Sequence, residues 1–234
     1  YTFNENFAGI KPYIYNYLVN MNSQIKKMLF TLALADYGNT AVDIQFFMDL
    51  FQDDTIEDFI VESMPGVNEL VKIERNNGKE QIRIRYHLFA TEILRQMSLG
   101  KEAKEISFLN LVDDILVFIE DSRNGKTTIN QNTLSLMRSL FITRSADVDA
   151  EKPVFSPLIE KLKEEHKVVS SGKYDDTNDA IISIFNKLVE IYPEEPHFTA
   201  HLARFYFYID KNYDKGFANI DAAIALSENT FGYV

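Results

Sequence analysis

Residues 71–85 read as two short strands around a tight turn. Val71-Lys72-Ile73-Glu74-Arg75 alternates apolar and charged side chains, and Gln81-Ile82-Arg83-Ile84-Arg85 alternates again. Between them, Asn76-Asn77-Gly78-Lys79 offers residues that tolerate the positive φ of a hairpin turn. Period-2 runs flanking an Asn-Gly turn predict a β-hairpin. Directly afterwards, Tyr86 to Gln96 switches to helical spacing. The rest of the chain also has helical spacing. One hairpin in such a chain excludes a plain helical bundle and calls for a helical body carrying a small β element.

Composition narrows the functional classes. The chain has 234 residues, 46% of them hydrophobic, with 18 Phe and 12 Tyr. That is enough for one large or two small domains and excludes disorder. The net charge of −11 gives a surface that repels phosphate backbones and anionic membranes. Neither nucleic acid nor membrane is therefore an expected partner. There is no cysteine, which removes disulfides, thiolate catalysis and cysteine-ligated zinc and suits a cytoplasmic protein. No apolar run approaches the ~20 residues of a membrane span. The chain begins at Tyr1 without a signal-peptide pattern and reads as a segment of a longer protein.

Helix signals punctuate the chain. Pro12 suits the first turn of a short helix starting near Tyr13. Asn22 or Ser23 caps a helix ending near Tyr37-Gly38, and Asn39-Thr40 caps one through Val42 to Phe51. Thr55 caps a third, ending before Pro65-Gly66. After the hairpin, helices are expected over 87–99, 105–121, from Thr127 or Thr128 to Phe141, 155–163 and 177–192. Two more, Glu195 to Tyr208 and Tyr213 to Ser227, form a closing pair.

A spacing recurs near the C-terminus. Ile181, Phe185, Leu188 and Pro193 are separated by 4, 3 and 5, as are Gly216, Ile220, Ala223 and Glu228, 35 residues later. These offsets resemble the second helix of a tetratricopeptide repeat, a unit of ~34 residues. Leu202-Ala203 followed by Tyr206 resembles its first helix. The other reading is a plain helical hairpin in a bundle.

Helices, one wing, a helix opened by His87, and then tetratricopeptide-like helices give an order that resembles the STAND-class P-loop NTPases. The likeness is to bacterial defence and signalling members, and to the region after the NTPase core in animal relatives containing a sterile-alpha motif. Its particular stretches are Ile82 to Ala90, Phe155 to Glu160, and Pro196 through Tyr206. The resemblance implies a mainly α fold: a helical segment and winged-helix module over 1–100, then a helical tetratricopeptide-like array over 101–234. It also implies a non-catalytic regulatory or sensor region of such an NTPase. Its partners would be an upstream NTPase core binding ATP or ADP and a protein ligand on the repeat surface, with oligomerisation possible in the parent.

In these proteins a histidine at the strand-to-helix junction closing the winged helix reaches the nucleotide phosphates. His87 stands at that junction, flanked by Tyr86 and Leu88 where the family has Met and Asp. Taken on its residues alone, His87 could equally be a helix-start histidine bonded to nearby backbone.

Other constellations point away from catalysis. Gly125-Lys126-Thr127 looks like the tail of a P-loop, but position 120, where the earlier Gly would fall, is Glu. The helix near Thr55 to Met64 carries Glu57, Asp58 and Glu62 and no Lys or Arg, which disfavours DNA recognition. Arg83 and Arg85 are expected to pair with Glu74 or to balance that acidic helix. His197 and His201 at i, i+4 lack the Glu and the third ligand of a zinc site, so packing and capping are expected of them. Asp113-Asp114 and Glu120-Asp121 read as a solvated helix face. No enzyme activity is expected. The alternative is a free-standing helical adaptor or winged-helix regulatory protein acting through protein–protein contacts.

Overall fold

Apolar spacing and caps produce a mainly helical chain with one small antiparallel sheet. The computed structural model describes residues 9–51, 67–76, 78–98, 112, 114–120, 131–142, 156, 158–160 and 177–231. The chain divides into two compact units, Tyr1–Ser107 with Gly125–Leu136, and Phe108–Asn124 with Met137–Val234.

In the first unit, helix α1 (Ile10–Asn20) follows Gly9, whose φ of 107° a side chain would resist. It starts before the expected Tyr13. Pro12 is accommodated because first-turn N–H groups have no intrahelical partner to lose. Helix α2 (Ser23–Tyr37) is capped by Asn22, whose side chain accepts from the Ile25 amide at 2.9 Å. Ile25, Met28, Leu29, Leu32, Ala33 and Leu34 are fully buried, so α2 forms the centre of this unit.

The expectation that Asn39-Thr40 caps a helix through Val42 is corrected. Val42 and Asp43 form a strand, β1, paired with Ile82 and Gln81. Helix α3 (Ile44–Phe51) begins only after it, with the Asp43 carboxylate accepting from the Gln45 amide at 3.0 Å. Two residues are too few to show a period, and this strand exists because a partner lies beside it.

A four-residue helix, α4 (Val67–Leu70), leads into β2 (Val71–Asn76) and β3 (Lys79–Ile84). The hydroxyls of Tyr13 and Tyr17 both donate to Glu69 at 2.5 Å, tying α1 to this entry. Those two hydrogen bonds hold the Glu69 carboxyl below its usual range. The expected hairpin is present, with Val71 opposite Ile84, Ile73 opposite Ile82 and Gly78 at φ 77°. The sheet is three-stranded rather than two-stranded, in the order β1-β3-β2. Val71, Ile82 and Ile84 turn one face inward. On the other face Glu74 meets Lys72 at 2.6 Å and Arg83 at 3.8 Å. Arg85, just beyond β3, instead donates to the Val71 carbonyl at 3.1 Å. Helix α5 (His87–Met97) packs on α2 and α1 through buried Ala90, Ile93 and Leu94.

In the second unit, helical residues 114–120 bury Ile115 and Ile119. From Met137 on, helix α6 (Gln131–Phe141) belongs to this unit and contributes Met137, Leu140 and Phe141 to its core. Then come α7 (Thr177–Ile191), α8 (Pro196–Phe205) and α9 (Tyr213–Phe231). The expected single helix from Glu195 to Tyr208 is also corrected. After Phe205 it widens into a π-helical turn, Tyr206–Asp210, closed by Lys211 at φ 55°. Phe185 is fully buried against Phe141, Phe205 and the His201 ring, with centroids at 6.5, 5.0 and 6.1 Å. A Cβ on Gly216 would sit 2.6 Å from the Phe207 ring, so only glycine lets that aromatic lie against α9.

The acidic helix expected over Thr55 to Met64 lies outside the described residues. So do the stretches 100–111, 121–130, 143–155 and 161–176.

Candidate functional site

Two polar constellations stand out, one in each unit. The first is built on His87. The backbone leaves β3, turns at Tyr86, and enters α5 with His87 as its first residue. Tyr86 gives no side-chain cap, and its carbonyl accepts from the Phe89 amide at 2.8 Å. The His87 ring is half-exposed at 48%, and its Nδ1 lies 2.9 Å from the Asp36 carboxylate, which is 10% exposed. Asp36 belongs to the last turn of α2, 51 residues earlier, and α2 packs closely on α5. The ring thus meets a carboxylate from another helix. A carboxylate can only accept, so Nδ1 carries the proton and the ring is fixed in one orientation. A second ligand would have to meet Nε2. A proton there, giving the imidazolium, would let it donate to an anionic oxygen at a helix N-terminus, where partial positive charge also collects.

The second constellation is built on Glu195, the N-cap of α8. Its carboxylate is 4% exposed. It accepts from Nε of Arg138 on α6 at 2.9 Å, from the second Arg138 nitrogen, and from the His197 amide at 3.2 Å. The His197 ring also reaches it. Burial alone would raise this acid. The hydrogen bonds from Arg138 and then His197 outweigh that and hold it below the usual carboxylate range. Capping by Glu195 explains why α8 starts at Pro196, a residue suited to that position. This cluster joins two helices, and its partly exposed members, His197 at 51% and Arg138 at 43%, are both held on the Glu195 carboxylate.

His201 lies one turn beyond His197 but is 7% exposed and stacked on Phe185, with an interplanar angle of 6°. Its Nδ1 has no hydrogen-bond partner among the described residues. Packing, as expected, is its role. Burial, with smaller contributions from Arg204 and His197, lowers it from 6.5 to about 4. The unfolded chain binds a proton near 6.5 and the folded chain does not. Stability is therefore complete above that pH and falls as pH drops toward about 4, by roughly 3 kcal/mol in all. Urea midpoints at pH 7 and 4.5 check this: His201→Phe is expected to show a clearly smaller loss than wild type.

A shallow groove of about 450 Å³ lies between α1 and α5, lined by Lys11, Pro12, Tyr15, Arg95 and Gln96. Its only strong cation besides Lys11, Arg95, is already held by Glu92 at 2.7 Å. Among the described residues, no group of three or more His, Asp or Glu is placed to hold a metal ion, and no helix is long and apolar enough to cross a membrane. Sequence reasoning found His87 but neither Asp36 nor the Arg138–Glu195 pair, because nothing local marks partners 51 or 57 residues away. No family model matches the sequence, and no curated protein or solved structure matches the chain.

Proposed function

We propose that this chain is the regulatory and sensor region of a STAND-class P-loop NTPase. Its first unit is read as a winged-helix module and its second as a tetratricopeptide-like array. Together they couple the ADP- or ATP-bound state of an upstream core to recognition of a protein ligand. The observation that carries this reading is the His87–Asp36 pair at the junction between β3 and α5. A histidine that touches phosphate must be held still, and a carboxylate only 10% exposed on its other nitrogen does that. The third strand supports the winged-helix part, because β1 fastens the hairpin to the helices on either side of it. The close approach of Gly216 to Phe207, at one of the recurring small positions, supports the repeat part. ADP would favour a closed form and ATP an open one.

The test uses the full-length parent, purified and denatured to release bound nucleotide. Co-purifying ADP is expected, and His87→Ala is expected to weaken its retention roughly tenfold, the worth of one charge-assisted hydrogen bond. Asp36→Ala, which frees the ring to turn, is expected to act in the same direction. ADP retained equally by all three proteins makes His87 structural. Absence of both nucleotide and an upstream P-loop favours the adaptor without an NTPase.

A further inference from the structure

Helix α9 buries one side against α8 and leaves the adjoining side open. On that open side Phe217 and Ile224 are 60% and 52% exposed. Beside them runs a second row, Asp214, Asp221 and Glu228, all exposed. Their spacing of seven returns to nearly the same face every two turns. An apolar row flanked on one side by three carboxylates is a specific surface, and we infer that α9 docks a basic amphipathic helix of a partner protein. This names the chemistry of the protein ligand proposed above and rests on that reading.

The molecule contains a precedent for the contact. Ile182, Phe185 and Val189 of α7 stand 35 residues before Phe217, Ile220 and Ile224 of α9. The α7 face is covered: Ile182 is 8% exposed and Phe185 lies against the His201 and Phe205 rings of α8. The covering helix, Pro196–Phe205, is amphipathic, carries His197, His201 and Arg204, and has no acidic residue. Among the described residues no helix covers the corresponding α9 face in that way: Phe217 meets the Phe207 ring at 5.1 Å yet stays 60% exposed, and acidic neighbours are added.

Charge selects among occupants. A second copy pairing α9 with α9 antiparallel about a two-fold axis places the same row of each helix on the same side. Asp221 then faces Asp221, and Asp214 faces Glu228, which is repulsive. A helix with Lys or Arg beside its apolar row meets those carboxylates favourably, within a chain whose net charge of −11 steers cations toward it. Lys215, the nearest cation in sequence, is turned to the Tyr206 ring at 5.2 Å.

The experiment uses the 234-residue chain and three fluorescent peptides of roughly 20 residues, long enough to form a helix. One is amphipathic with lysines flanking a Leu/Phe row; one replaces those lysines by glutamate; one scrambles the first. The basic amphipathic peptide is expected to bind on the order of tenfold more tightly than the other two, by anisotropy at physiological salt. Phe217→Ser is expected to weaken it by a similar factor. The doubly inverted Asp221→Lys, Glu228→Lys protein is expected to prefer the acidic peptide. Equal binding of the scrambled peptide would reduce the effect to bulk charge and overturn the proposal. Indifference to the inverted charges would do the same. So would a dimer that Ile224→Asp dissolves, because a second copy would then be the occupant. None of these readouts involves nucleotide, so failure here leaves the ADP experiment to judge the NTPase reading independently.

Discussion

Phe185→Ala is expected to destabilise the second unit by about 3–5 kcal/mol. The ring is fully buried and meets three other rings, from α6, α8 and the His201 imidazole, so its removal opens a cavity that no single neighbour can fill. The measurement is a urea midpoint at unchanged slope, which separates lost stability from a change in the unfolded state. A loss under about 1 kcal/mol would mean the helices collapse into the space, and would contradict the packing described. Phe185→Leu, which keeps most of the volume, is expected to cost clearly less.

Arg138→Met is expected to cost about 3 kcal/mol. The substitution keeps most of the apolar stem but leaves the Glu195 carboxylate, 4% exposed, with only its His197 contacts. A buried charge without its partner is the expensive state, rather than the loss of the pair itself. Adding Glu195→Gln to Arg138→Met is therefore expected to recover part of the loss, and a double-mutant cycle measures how much. The pH dependence has a definite sign. Glu195 is held below its ordinary value in the folded chain, so its contribution is present above the ordinary carboxylate range and is lost as pH falls through the folded value. In the Arg138→Met protein that acid-side loss is expected to shrink. A variant as acid-sensitive as wild type would mean Arg138 does not set the state of Glu195.

The parts of this molecule legible in the sequence are those whose cause is local. The hairpin was announced by alternation and by Gly78, α2 by Asn22, and α7 by apolar spacing from Thr177 onward. Features made by distant partners were not. Val42-Asp43 has no period of its own and becomes a strand only because Ile82 and Gln81 lie alongside. His87 could be singled out from its place after a strand, but not Asp36, which holds its ring from another helix. His197 and His201 look alike in sequence. One ends on a carboxylate and the other inside an aromatic stack, because α8 turns them toward different neighbours.

The π turn after α8 bears on how this stretch tolerates a change of length. Each residue added to a regular α-helix rotates everything after it by about 100°, which would swing α9 off its seat. A π turn takes up one extra residue within its wider loop and leaves the flanking helices in phase. Tyr206–Asp210 is therefore the part of this stretch best able to take up a change of one residue. It carries Phe207, the ring that lies against Gly216. The same turn marks where a one-residue deletion could be accepted without repacking the aromatic core.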